Sequence, residues 1–223
     1  MIDLNKVVGI GKPKVIDNFL SDEDINNLSS VCSFGGLKTL KINRWRWADE
    51  SIIEYGDWDI TEERFLESYK NKESPNAHFD IQNIKSLVKK SDNLFFNYTS
   101  HDLSDHWSQQ RGHWIWWSDE NNITPLHKDP YDNFILQIRG EKEWTIYSDE
   151  YDDILYGDNL QFDGGGGFSK SNFNIDDNSL SKIKFILKPG QLFFLPTGWS
   201  HHIKTLSHSY SISCFMGKSK KGY

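Results

Sequence analysis

Apolar residues recur along this chain in two rhythms, and the change comes near Gly112. Before it the spacing is helical. Ser21-Asp22-Glu23-Asp24 precedes Ile25, Leu28 and Val31, which predicts a capped helix with an acidic first turn. Thr61 stands before Phe65, Leu66 and Tyr69, and predicts a second helix. Asp80 stands before Ile81, Ile84, Leu87 and Val88, one apolar stripe of a third. After Gly112 the runs are short and strand-like. His113-Trp114-Ile115-Trp116-Trp117 is aromatic. Residues 133–147 hold two apolar runs split at Arg139-Gly140-Glu141, which reads as a hairpin. Residues 182–187, 191–195 and 209–216 give three more strands, with a turn at Pro189-Gly190.

Short strands separated by turn signals predict an all-β barrel or sandwich. The expected organisation is a helix-rich region over 1–111 packed on a barrel over 112–217, with a basic tail over 218–223. Within the barrel, 148–181 is acidic and loop-like. Its Asp163-Gly164-Gly165-Gly166-Gly167-Phe168 run reads as a mobile loop, because no strand–Gly–helix context makes it a phosphate cradle.

Composition narrows the classes. At 223 residues the chain suits one domain with extensions. With 37% hydrophobic and 26% charged residues it is globular rather than disordered. A net charge of −7 without a basic stripe argues against nucleic-acid binding. Two cysteines, Cys32 and Cys214, make no disulfide framework and no metal-type spacing. No signal-peptide pattern and no membrane-length apolar run is evident, so the expectation is a cytoplasmic, soluble protein.

The candidate chemistry lies in His127-Lys128-Asp129 and in His201. On a strand, residues i and i+2 face the same way, so one imidazole and one carboxylate can grip a metal ion together. A histidine from a later strand completes two histidines and a carboxylate on one face. That is the facial triad of non-haem Fe(II) oxygenases, which leaves positions open. Each residue alone has a plainer reading. Asp129 before Pro130 suits a turn, and His-x-Asp is a common tripeptide.

The flanking text carries more. The segments running from Asn122 to Phe134, from Gln137 to Trp144 and from Lys188 to Ile203 occur in the order of three blocks of a known family. They resemble the first-ligand segment, the following hairpin and the distal-histidine segment of the JmjC and cupin-like 2-oxoglutarate oxygenases. The resemblance covers about residues 113–217 and is nearest to the asparaginyl hydroxylase subgroup that inhibits hypoxia-inducible factor.

The resemblance implies a double-stranded β-helix (jelly-roll, cupin-type) barrel flanked by helices. It implies Fe(II) held by His127, Asp129 and His201, with His202 pointing the other way. It implies 2-oxoglutarate as cosubstrate with O₂, its far carboxylate met by Lys142 and Thr124, with Asn133 beside it. A buried dicarboxylate does need a counter-charge. The family's second hydroxyl partner has no aligned residue here, Tyr98 being conceivable. One departure stands out: Cys214 occupies the place of an asparagine that faces the cosubstrate, and a thiol is a poor hydrogen-bond partner. Trp114, Trp116, Trp117, Trp144 and Trp199 are candidates to line the pocket.

The implied activity is a dioxygenase that hydroxylates an unactivated C–H, best matched to a protein or peptide side chain. A free amino acid or small molecule is the alternative substrate. A non-catalytic metal-binding cupin is the alternative of another class. A zinc hydrolase lacks a paired general base and a zincin-type helix motif.

Overall fold

The computed structural model describes residues 4–31, 40–48, 51–60, 76–80, 113–118, 120–129, 131–156, 167–168 and 179–216. The helices are α1 (Leu4–Ile10), α2 (Asp22–Val31) and α3 (Asp152–Leu155), the last entered through a 3-10 turn at Asp149–Tyr151. The strands are β1 (Lys14–Ile16), β2 (Leu40–Ala48), β3 (Ser51–Ile60), β4 (Asn76–Asp80), β5 (His113–Ser118), β6 (Ile123–Lys128) and β7 (Asp132–Arg139). They continue with β8 (Lys142–Tyr147), β9 (Gly167–Phe168), β10 (Ile183–Leu187), β11 (Leu192–Leu195), β12 (Ser200–Thr205) and β13 (Ser209–Met216). One antiparallel sheet runs β1-β11-β7-β13-β5-β4-β2-β3, the other β10-β8-β12-β6-β9.

The two sheets close on a shared apolar core. Ile135, Phe193 and Leu195 from the larger sheet pack with Trp144, Ile146 and Leu187 from the smaller. Between facing layers such side chains lose their water, which is the main drive for the sheets to close. Behind the smaller sheet, α3 covers a second cluster of Leu126, Tyr147, Leu155, Tyr156 and Leu180. Strand β6 therefore has a buried layer on each side.

The expected hairpin over 133–147 is not one. β7 pairs with β11 and β13, whereas β8 pairs with β10 and β12. The turn between them is a corner that carries the chain from one sheet to the other. Its neighbour is the β12–β13 connection, which crosses in the same way, and the two corners are tied. Leu206 N–H donates to Glu141 O at 2.9 Å, and Glu141 N–H donates to Ser207 Oγ at 3.0 Å. Gly140 holds φ +69°, and a Cβ there would lie 2.3 Å from His208 O. Only glycine meets both the backbone angle and the close approach. Two apolar runs split by a glycine are common to a hairpin and a sheet-crossing corner.

The N-terminal expectation also needs correction. The capped helix is there: in α2, Ser21 Oγ accepts from Asp24 N–H at 3.1 Å, and Ser21 N–H donates back to Asp24 Oδ2 at 3.3 Å. Residues 40–60 and 76–80, however, form β2, β3 and β4, which extend the larger sheet past β5. The missed signal is a period of two. Trp45 and Trp47 alternate with Arg44 and Arg46, and Trp58 and Ile60 with Asp57 and Asp59. The helices expected after Thr61 and Asp80, and the basic tail, lie outside the described residues. Asp80 itself ends β4. The Gly-rich segment is described only at its end, where Gly167-Phe168 pairs with β6 instead of looping free.

Gly140→Ala is expected to destabilise the fold by on the order of 2 kcal/mol or more, through backbone strain and collision with the adjoining corner. Denaturant unfolding measures this; a midpoint equal to that of the wild type would show that the corner is not constrained.

Candidate metal centre

Strands β6 and β12 lie side by side with a slip. His127 pairs with His201, but Thr124 pairs with Ile203. Three steps along β6 thus match two along β12, so one extra residue is accommodated at Pro125-Leu126. Proline has no N–H to give the ladder and belongs at such a bulge. The bulge turns Thr124 and His127 to the same face, which an unbroken strand would not do.

The bulge also orients the first histidine. The Nδ1 of His127 lies 2.8 Å from Pro125 O, and the Nδ1 of His201 lies 3.2 Å from Trp199 O. A carbonyl can only accept, so each Nδ1 carries the proton and each Nε2 is left bare. Both bare nitrogens aim at Asp129: His127 Nε2 lies 3.9 Å from Oδ1, and His201 Nε2 lies 3.6 Å from Oδ2. The two rings are 4.0 Å apart between centroids. Ligand atoms of all three residues fall within 4.8 Å of one another. Two imidazoles and a carboxylate in this arrangement could hold a divalent metal ion.

Burial sets the charge of the site. It lowers the His201 imidazole well below the usual histidine range, helped by His127 nearby. A neutral imidazole is the form that binds metal. Burial likewise raises the Asp129 carboxyl, and His127 opposes the shift. A metal cation would stabilise the carboxylate. His201 is buried, while His127 and Asp129 keep 14% side-chain exposure, so the centre opens on their side.

The turn that delivers His201 is fixed separately. Asp132 Oδ1 accepts from Thr197 N–H at 2.7 Å and from Thr197 Oγ1–H at 2.9 Å. This ties Pro196-Thr197-Gly198 to the residues that follow Asp129. Neither residue stands out in the sequence, since an acid three positions after a ligand is too common a signal.

His202 pairs with Thr145, on the face away from the triad, as expected. Lys142 is buried and donates from Nζ to Ser211 Oγ at 3.3 Å, across the barrel from its own strand. Thr124 is half-buried on the triad face, and Asn133 is buried in β7. Trp144, two residues from Lys142 on the same face, stacks on His201 at 5.7 Å between centroids. Trp199 packs on the core, and Trp116 lies opposite Ser211 in the register. The side chains of Trp114 and Trp117 lie outside the described ones, as does Tyr98.

Cys214 is not the departure it promised to be. It pairs with Phe134, whereas Ser213 pairs with Ile135, an interior core residue. Alternation along β13 therefore sends Ser213 inward and Cys214 outward. The inward positions Ser209, Ser211 and Ser213 are all buried. Their Ser-x-Ser-x-Ser spacing was the available signal.

The family model described as "Cupin-like domain" matches residues 58–217. The chain belongs to this cupin-like family. Among curated proteins it is 29% identical over 189 residues to JmjC domain-containing protein F of Dictyostelium discoideum, covering 70% of this chain and 40% of that protein. It is 32% identical over 107 residues to lysine-specific demethylase 8 of Xenopus tropicalis, covering 44% of this chain and 23% of that protein. To HSPB1-associated protein 1 of Rattus norvegicus it is 22% identical over 170 residues, covering 72% and 36%. The chain thus spans less than half the length of these relatives. They do not single out the asparaginyl hydroxylase subgroup. The X-ray structure of E. coli ycfD shares the fold, at a TM-score of 0.54 and 14% identity, covering 99% of this chain and 54% of that one. JmjC enzymes use Fe(II) and 2-oxoglutarate, and the His–Asp–His triad is present here. Among the described residues no helix is long and apolar enough to cross a membrane.

Asp129→Ala is expected to weaken divalent-metal binding by at least about tenfold while the far-ultraviolet circular dichroism stays that of the wild type. Titration with Co(II), followed by its visible absorption, measures this; unchanged affinity would remove Asp129 from the site.

Proposed function

We propose that this chain is an Fe(II)- and 2-oxoglutarate-dependent dioxygenase that hydroxylates an unactivated C–H bond of a protein or peptide side chain. The observation that carries this reading is a single barrel interior holding the triad at one end and a buried lysine at the other. Lys142 is opposite Thr205 in the register, and His201 opposite Ile146, four residues further along β8. Four residues of strand rise about 13 Å, and the lysine side chain takes up part of that. A short dicarboxylate fits the remainder, one end towards the triad and the other on the amine.

The interior is polar where such a ligand would lie. Asn133 Oδ1 and Trp144 Nε1 are buried without a hydrogen-bond partner. Buried polar atoms ordinarily have one, and a bound ligand supplies it. Lys142 has Ser211 as its neutral partner, and among the described residues no carboxylate pairs with it. These groups fit Fe(II) and 2-oxoglutarate: His127, Asp129 and His201 would hold the metal, and Lys142, with Thr124 and Asn133 near the ligand, would hold the cosubstrate.

When bound, iron with 2-oxoglutarate and O₂ supplies the oxidising power to hydroxylate a C–H bond, releasing succinate and CO₂. The chain's own residues position and protect. The Pro125 and Trp199 carbonyls hold both imidazoles with Nε2 facing Asp129. Lys142 anchors the far carboxylate. Trp144 stacks on His201 and is backed by Phe185 and Phe193, with ring contacts from 4.9 to 6.5 Å, an aromatic side to the site that would shield the reacting end from water. The protein-substrate assignment is supported by the relative named lysine-specific demethylase 8, an enzyme that acts on lysine.

Purified chain given Fe(II), 2-oxoglutarate and O₂ is expected to form succinate, and mass spectrometry of a peptide pool to find one product with one added oxygen. Asp129→Ala should abolish both. Lys142→Ala should raise the 2-oxoglutarate KM by at least about tenfold. Succinate formation that survives Asp129→Ala would overturn the assignment. A product found only in a small-molecule pool would move the substrate class.

A further inference from the structure

We propose that Ser211 is a cosubstrate-binding residue: its hydroxyl rests against the Lys142 amine and, when 2-oxoglutarate binds, donates its own hydrogen to the far carboxylate beside that amine. This rests on the reading that 2-oxoglutarate binds at Lys142.

Ser211 and Lys142 stand on opposite sheets, both buried, with Nζ donating to Oγ at 3.3 Å. That is just beyond the usual range of about 2.7–3.2 Å for an N–H···O bond. As acceptor in this contact, the serine keeps its own O–H to give. A carboxylate has room for several donors, so an amine and a hydroxyl this close can share one.

The barrel ends just beyond this pair. Gln137 is opposite Ser211 in the register, and its amide nitrogen is already committed, whereas its Oε1 is buried without a partner. Its Nε2 donates to Arg139 O at 2.8 Å, to Gly140 O at 3.1 Å and to Ser209 Oγ at 2.8 Å. The glutamine thereby fastens the sheet-crossing corner across the end of the barrel. A carboxylate arriving from the triad end stops at Lys142 and Ser211.

The surroundings of Lys142 supply a second readout. Among the described residues, Lys142 is paired in the register with Leu187 on β10 and Thr205 on β12 and bonded to Ser211 across the barrel, none of which ionises. Burial among them lowers the amine to about 7. A carboxylate brought against it favours the charged form, so above pH 7 binding takes up a proton. Affinity for the dicarboxylate should then fall as pH rises from 7 to 9, by at most about tenfold per unit.

The test is calorimetric titration of the Mn(II)-loaded protein with 2-oxoglutarate and with 2-oxobutyrate, which lacks the far carboxylate. Ser211→Ala is expected to weaken 2-oxoglutarate binding about tenfold and to leave 2-oxobutyrate unchanged. Ser211→Thr, which keeps the hydroxyl, should restore most of the affinity. Equal loss for both ligands marks a purely structural serine and overturns the proposal, as does an unchanged Kd for 2-oxoglutarate. A wild-type protein that binds Mn(II) but not 2-oxoglutarate overturns the underlying reading as well.

Discussion

The pairing of β6 with β12 is the constraint on which the rest of the site depends. It sets His127 opposite His201, and its bulge at Pro125 does two further things. It brings Thr124 round to the triad face, and it supplies the carbonyl that fixes the His127 ring. A slip of one residue would send the imidazole of His127 into the layer beneath and bring Lys128 inward. That layer is built against such a slip. Lys128 is fully buried there and pairs with Asp152 of α3, while Tyr156 O–H donates to Ser200 Oγ at 2.7 Å. A buried ion pair adds little net stability, but breaking one costs several kcal/mol. It therefore resists the wrong register more than it strengthens the right one. Burial raises the Asp152 carboxyl, with Lys128 opposing the shift.

The interior face shows the same trade in another form. An all-apolar barrel would be the simpler core, yet the inward positions of β7, β8 and β13 carry Asn133, Gln137, Lys142 and three serines. Buried polar groups cost stability unless they are paired. Several of these are paired with one another, and the sheet-crossing corners are fastened by them. Others, Asn133 Oδ1, Gln137 Oε1 and Trp144 Nε1, are not. Departures from a consistent core gather at sites of function, and Asn133 and Trp144 lie between the triad and Lys142.

Much of this was legible in the residues. The strands of the barrel follow from apolar runs and turn signals, and β13 falls at the expected residues 209–216. The triad followed from strand alternation plus flanking text, and the choice of His201 over His202 from the family resemblance, with alternation then turning His202 away. What was not legible depended on which sheet a strand joins. Arg139-Gly140-Glu141 reads the same whether the chain folds back or crosses over, because a glycine at positive φ serves both. The β2–β3 strands were hidden by charge: arginines and aspartates between tryptophans lowered the apolar signal while keeping its period. The role of Cys214 was misread because facing depends on register, which one residue of offset inverts. The Asp132–Thr197 tie could not be seen, since it joins residues 65 positions apart.

On the proposed reading, the triad and Lys142 form one site for one metal and one 2-oxo dicarboxylate. Anaerobic titration with Fe(II) and then 2-oxoglutarate, followed by visible absorption, tests it most directly. A 2-oxo acid chelated to Fe(II) gives a charge-transfer band that neither component gives alone. The band is expected at one Fe(II) and one 2-oxoglutarate per chain. Tight Fe(II) binding with no band at saturating 2-oxoglutarate would contradict it.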